Sequence, residues 1–293
     1  SLEFRDGVIV DTRPALRGGS AVIAALGGAA TLERTVIHGA VENGAVALGA
    51  GASLTLRDVA VRDIAPRPRD QGGGWGIAAF HGARVVGDGV LVERASRAGV
   101  IAYADDARVE LRDAIITDVR GAGTGFGAGL MAIDRAHVVA ARIAVRGARG
   151  AGVASTAYSR ADASVYGATL RASDLFVRGV RASSVDDIAG QAPPVAYGVS
   201  VGRDCALDLE RATVLDADWG FFHSAASLTL RRALVARQRR GAGAASLVDA
   251  RHPLRLEDLS LRENASNDIA RDIDLPSLRL EPPPEPELPR LSD

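Results

Sequence analysis

The chain opens a pattern at "ASLTLRDVAVRDI", Ala52 to Ile64, in which apolar and polar positions alternate, and repeats it at "ARVELRDAIITDV", Ala107 to Val119. Further copies begin at Ala83 ("ARVVGDGVLVERA"), Ala136 ("AHVVAARIAVRGA"), Ala168 ("ATLRASDLFVRGV"), Cys205 ("CALDLERATVLDA"), Ala226 ("ASLTLRRALVARQ") and His252 ("HPLRLEDLSLREN"). A copy shorter by one residue, "ATLERTVIHGAV", starts at Ala30. The third and tenth positions are almost always Leu, Val or Ile, and the fifth is usually apolar, as in Leu54, Leu56 and Val61 or Val109, Leu111 and Ile116. Alternation of this kind puts the apolar residues on one face of extended strands. Between the two halves of the phrase stands Asp or Gly (Asp58, Gly89, Asp113, Asp174, Asp258), which suits a tight corner. A Gly-led strand then follows: "GIAAF" from Gly76, "GVIAY" from Gly99, "GLMAI" from Gly129, "GVSVG" from Gly198 and "GFFHS" from Gly220.

Copies start about 21 to 37 residues apart, with the short intervals in the low twenties. A repeat of this length is one supersecondary unit that cannot bury its apolar face until a neighbour offers the same face. Three short strands per turn and no apolar stripe of helical period describe an all-β, single-stranded parallel β-helix, a solenoid of about nine coils. A leucine-rich repeat would need a longer Leu/Asn consensus with a helical or looped back. At one strand spacing per coil the rod is on the order of 40 Å long. The pattern extends from about Leu2 to Asn264, giving a β-helix domain over 1–264. After it comes a Pro- and acid-rich tail over 265–293, ending "PSLRLEPPPEPELPRLSD". The chain starts on a strand pattern, "LEFRDGVIV", so an upstream coil or a partner is expected at that end.

This repeat resembles the right-handed parallel β-helix superfamily, the pectate-lyase-like repeat proteins of secreted enzymes and surface proteins. The resemblance implies an extracellular or cell-surface location. It does not imply one activity, because the superfamily includes lyases, hydrolases, adhesins and proteins without chemistry. Its lyases tend to use a basic residue as base, with Arg or calcium neutralising a uronate.

Composition narrows the partners. Of 293 residues, 47% are hydrophobic but only 4% aromatic, so the core must be built from small and branched aliphatic side chains. The net charge is −1 with both signs interspersed, unlike a nucleic-acid binder with its basic stripe and stacking aromatics. Every basic residue is Arg, none Lys, as GC-rich codon usage would produce. No apolar run reaches the roughly 18 residues of a membrane span. The single cysteine, Cys205, opens a coil and reads as a small buried filler.

Three long insertions, "APRPRDQGGGW" (65–75), "RGAGTGF" (120–126) and "SSVDDIAGQAPP" (183–194), enter just before the Gly-led strand and should project over one face, where function concentrates on a rigid scaffold. Residues around 159–166 enter at another corner. If Ile77, Val100, Leu130 and Phe221 point inward, Ala78, Ile101, Met131, Ser200 and Phe222 form an apolar outward row, to be covered by loops or used for association. Counting back from each coil start stacks His81, Asp105, Asp134, Tyr166 and Arg203, with Gly82, Asp106, Arg135, Gly167 and Asp204 beside them.

Paired carboxylates with a His or Arg suit acid–base sugar chemistry, and oxygen-rich clusters can hold calcium. Asp105, Asp134, His81 and Arg135 are therefore the catalytic candidates, and Asp106, Trp75, Tyr103, Arg203 and Asp204 the ligand-binding ones. The same residues are also ordinary turn formers on a solvated corner. No metal or cofactor is required, calcium being the one the corner could take. "GVSVG" fits G-x-S-x-G but lies along a strand rather than at a strand-to-helix elbow. "RGAGTGFGAG" has no helix after it and is not a dinucleotide fingerprint. His38, His137, His223 and His252 lack metal-ligand spacing. "NAS" at Asn264 is a glycosylation triplet by letter only.

Two functions therefore stand. One is a non-catalytic rod of an exported or surface protein that binds a polysaccharide or a protein surface, with end-to-end or face-to-face self-association open to it. The other is a lyase or glycosidase acting on an acidic polysaccharide. A spacer without a ligand is the third reading.

Overall fold

The computed structural model describes residues 1–12, 19–69, 71–121, 127–157, 167–182, 195–202, 204–246 and 248–267. The tail beyond 267, the insertions 122–126 and 183–194, the segment 158–166 and Arg203 lie outside the described residues. Among the described residues ten long strands alternate with nine short ones. All long strands form one parallel sheet in chain order and all short strands a second. The chain therefore winds as a right-handed parallel β-helix. No helix among the described residues is long and apolar enough to cross a membrane.

Register is what the repeat predicts. Leu54 pairs with Val85, then in successive coils come Val109, Val138, Leu170, Leu207, Leu228 and Leu254. These rows, with Leu56, Val59, Val61 and their counterparts, form the core together with the inward row Ile77, Val100, Leu130, Val153, Val199 and Phe221 of the short sheet. Each fully buried aliphatic side chain contributes roughly 1.5–3 kcal/mol, so small residues suffice when every coil supplies several.

The two expected halves of the phrase are one continuous strand, as in Ser53–Arg62, bent in its middle. The bend residue takes the left-handed conformation, with φ of 52° at Asp58, 65° at Gly89 and 53° at Asp174. Asp tolerates this region because its short side chain bonds locally. A second left-handed residue closes the long strand at an exit corner, as at Asp63, Arg94, Asp118 and Gly147. The short strand returns to the next long strand through an entry corner such as His81–Gly82.

The leading glycines of the short strands have a steric cause. A Cβ on Gly129 would stand 2.6 Å from the Gly152 carbonyl oxygen and closer still to Val145 Cγ1. The long and short sheets pinch together there, and only a residue without a side chain fits.

The outward row of the short sheet is covered from Ala78 to Ala154, whereas Ser200 and Phe222 further along are only half-buried. Ala78, Ile101, Met131 and Ala154 are buried in a second cluster, against which Trp75 and Tyr103 pack. A third cluster, Ala60, Leu91, Ile115, Ala144 and Phe176, lines the outside of the long sheet.

Both left-handed rows carry a charge code. At the mid-strand bend Arg34 donates to Asp6 (2.8 Å), Arg142 to Asp113, and Arg211 to Asp174 (2.7 Å). At the exit corner Arg94 donates to Asp63 (2.7 and 2.8 Å) and Arg237 to Asp216 (2.8 and 2.9 Å). In each pair the acid precedes and the Arg sits on the next coil. Where no Arg follows, Gly does: a Cβ on Gly147 would meet Asp118 Oδ1 at 2.8 Å. Arg142, Arg94 and Arg211 hold Asp113, Asp63 and Asp174 below the usual carboxylate range, outweighing the upward push of burial.

Candidate functional site

The entry corner brings three of the four catalytic candidates together. His81 Nδ1 lies 2.9 Å from Asp105 Oδ2, and Arg135 donates to Asp105 Oδ1 at 2.6 Å. The contact depends on one extra residue. The turn after Tyr103 has three residues, Ala104, Asp105 and Asp106, all at positive φ, whereas His81–Gly82 and Asp134–Arg135 have two. The Ala107 amide bonds the Ala104 carbonyl as the Ala83 amide bonds that of Phe80, so Ala104 is the added residue, and Asp105, in the place of His81 and Asp134, reaches both neighbouring coils. The His81 hydrogen bond, helped by the Arg135 charge, draws the Asp105 carboxyl below its ordinary range. A carboxylate engaged on both sides is stabilised as the anion, which makes it a weak base.

Asp134 does not join them in an open groove. It is 1% exposed, whereas the Asp105 side chain is 56% exposed. Asp134 turns toward the inside of the corner, where its charge and burial raise the Cys205 thiol to about 11, burial being the larger cause. The expected pair of carboxylates flanking a substrate is thus replaced by a buried acid and an exposed ion-paired one. Cys205 is a buried, protonated filler.

The remaining candidates scatter. Asp106 is exposed, with Oδ1 3.6 Å from His137 Nε2. The Trp75 and Phe80 ring centroids are 4.9 Å apart, and Tyr103 lies 6.1 Å from Phe80 and 6.0 Å from His81, so both binding aromatics cover the short sheet. Asp204 sits three coils beyond Asp106, 2.9 Å from His252 Nε2, whose Nδ1 is 3.0 Å from Asp249. His223 is fully buried in the core, and His38 lies 3.1 Å from Asp63. Asn264 is engaged as a backbone cap, donating to the Val235 carbonyl and accepting from the Gln238 amide, both at 3.0 Å. Among the described residues no group of three or more His, Cys, Asp or Glu could hold a metal ion.

A second locus was missed in the sequence. Just past the exit corner, a cleft of about 270 Å³ is lined by Arg94, Asp118, Val119, Arg120, Gly147, Arg149 and Arg181. Of the corner row, Arg94, Asp118 and Gly147 line it, and the Asp118 carboxylate lies over Gly147, 2.8 Å from where a Cβ would stand. Two residues beyond each corner stand Arg120, Arg149 and Arg181. Their backbones are hydrogen-bonded coil to coil: the Arg149 amide donates to the Val119 carbonyl (3.0 Å) and the Arg181 amide to that of Ala148 (2.8 Å). Arg149 and Arg181 also form a parallel bridge.

Arg94 is occupied by Asp63 and Glu93. Arg120 only grazes Asp63 at 3.5 Å, and among the described residues Arg149 and Arg181 have no acidic partner within 4.0 Å. Their backbones stack about 4.8 Å apart, so the column sets like charges beside one another, and like charges repel. The motifs "DVRG" (118–121), "GARG" (147–150) and "GVRA" (179–182) carried this signal. Alignment from coil starts hid it, because the turns that follow differ in length. Counting forward from the end of each long strand reveals it.

No protein-family profile matches the sequence, and no curated protein is similar to it. Among solved structures, the pectate lyase Pel9A superposes with a TM-score of 0.51 at 9% identity, covering 91% of this chain and 68% of that one. The likeness is one of fold, a parallel β-helix.

Proposed function

We propose that the protein is a non-catalytic β-helix binding module of an exported or cell-surface protein, and that it presents its loop-bearing exit corner to a polysaccharide. The observation that carries this reading is the cleft, which runs across consecutive coils and so suits an extended polymer lying along the solenoid axis. The acid–base constellation that catalysis would need is dispersed: Asp134 is buried and Asp105 is held between His81 and Arg135. The test is retention of the protein on a panel of neutral and acidic polysaccharides, with the same mixtures assayed for new reducing ends and unsaturated products. Retention without products is expected; turnover abolished by Asp105→Asn would overturn the reading.

One observation favours a lyase or glycosidase acting on an acidic polysaccharide as the second reading. The cleft supplies guanidinium groups that would neutralise a uronate, and the fold is shared with a protein named as a pectate lyase. Unsaturated products lost on Arg149→Ala would establish it.

A further inference from the structure

We infer that an aromatic strip on the outside of the last coils, formed by Tyr197, Trp219 and Phe222, seats the chain's own Pro-rich segment 281–289, which folds back along the rod as a polyproline II strap. The strip shares no residue with the exit-corner cleft. Trp219 is paired with Tyr197 on the coil before it and with Gly241 on the coil after it. The Phe222 and Tyr197 ring centroids lie 4.9 Å apart, tilted by 41°. The Trp219 ring leans onto the next coil: a Cβ on Gly241 would stand 2.4 Å from its Cζ3, so only glycine leaves it room. Gly241 and Ala244, the partner of Phe222, make the last short strand a shelf of small residues beside the rings. All three rings are half-buried, although the outward row that holds Phe222 is covered from Ala78 to Ala154. The aromatic surface therefore comes uncovered next to the place where the chain leaves the rod: the Ser266 carbonyl accepts the Ala242 amide at 2.8 Å.

The chemistry of the segment fits this seat. Its sequence, "EPPPEPELP", favours polyproline II, because proline fixes φ near the value that helix needs. With three residues per turn, Pro283, Pro286 and Pro289 fall on one edge and Glu281 and Glu287 on another. Proline edges dock between aromatic rings at little cost in order, since the helix is already formed. The proline edge repeats every ~9.3 Å, close to the ~9.6 Å of two coil spacings that separate Tyr197 from Gly241, so successive prolines fall on either side of Trp219. Charge agrees as well. Arg240 directly precedes Gly241, and its amide donates to the Asp218 carbonyl at 2.8 Å, beside Trp219. Arg240 is exposed and has no acid within 4.0 Å among the described residues, which leaves it to meet a glutamate of the segment. Residues 268–281 link Asn267 to Pro282. A flexible linker of that length spans roughly 20 Å, ample for a return of one or two coils, and such tethering gives an effective concentration on the order of millimolar. A contact too weak to hold a separate peptide is then occupied within one chain.

The chain has two tryptophans, so Trp75→Phe leaves Trp219 as the sole indole reporter. The experiment is acrylamide quenching of its fluorescence in the full chain carrying that change, with and without Pro283→Ser, Pro286→Ser and Pro289→Ser together. Removing the proline edge is expected to raise the quenching constant about twofold, the change that half-occupancy of a tethered contact gives. Arg240→Glu should raise it too. A peptide of residues 281–291 at millimolar concentration should restore protection to the triple variant, and dilution of the intact chain should leave protection unchanged. The three serines lie in the tail, outside the stacked coils, and melting curves taken alongside separate a displaced strap from a loosened rod. Equal quenching with and without the proline edge overturns the strap. Protection lost on dilution overturns the intramolecular contact and gives the seat to a second copy. Stronger protection of the triple variant by a neutral or acidic glycan oligomer than by the peptide overturns the choice of occupant.

Discussion

The two left-handed corner rows and the Arg ladder are built from the same residue on the same scaffold, yet they resolve its charge in opposite ways. In the corner rows Arg34, Arg94, Arg142, Arg211 and Arg237 are each held by an aspartate one coil away, at 2.7 to 2.8 Å for Arg94 and Asp63, while Arg232, stacked after Arg211, is held by Glu210. In the ladder Arg149 and Arg181 stack with no acid within 4.0 Å among the described residues, Asp118 lining the same cleft without pairing to them. The corners use stacking to cancel charge, whereas the ladder uses it to concentrate charge. Solenoids make both outcomes available, because a residue type repeated at one position becomes a column in space. The difference lies in whether the next coil answers with the opposite sign.

Charge reversal should expose this contrast most strongly. Arg142→Glu would remove the Asp113 pair and set a third carboxylate between Asp113 and Asp174. Loss of the pair and new repulsion together are expected to cost about 2 kcal/mol, read as a melting point lower by several degrees. The same change in the ladder, Arg149→Glu, should raise stability by about 0.5–1 kcal/mol by giving Arg120 and Arg181 a partner. Equal destabilisation by both would end the distinction.

Acid titration comes next in size. Asp63, Asp113 and Asp174 titrate lower folded than unfolded, so their contribution is complete above the unfolded value of about 4 and disappears as pH falls through the folded values. The melting temperature should decline between about pH 5 and 2. Arg142→Gln should shallow that decline and Arg149→Gln should leave it unaltered. Salt gives the smallest effect. At about 1 M the screening length is near 3 Å, so the stability gained by Arg149→Gln in dilute buffer should vanish, a change of about 0.5 kcal/mol measurable by denaturant titration.

The sequence made the solenoid legible because its physics is local and repeated. Leu54, Val85 and Val109 recur at one place in the phrase, and parallel pairing leaves them nowhere else to go. Asp58 and Asp113 announced their bend for the same reason. The site was less legible because it depends on turn length, which periodicity does not encode. Asp105 and Asp134 hold the same place in their turns, yet with Ala104 added ahead of it Asp105 lies outside between His81 and Arg135, while Asp134 faces inward. The Arg column was hidden likewise, behind turns of unequal length.

That added residue also shows how the rod tolerates irregularity. Phe80, Tyr103 and Ile133 remain paired ahead of the turn, and Arg84, Arg108 and His137 remain paired after it. The extra length bulges outward and dies within one corner, leaving both ladders in phase. Corners of this kind behave as expansion joints: foreign peptide could be spliced between Ala104 and Asp106 for display, or a coil's reach retuned, while the stacking beneath stays undisturbed.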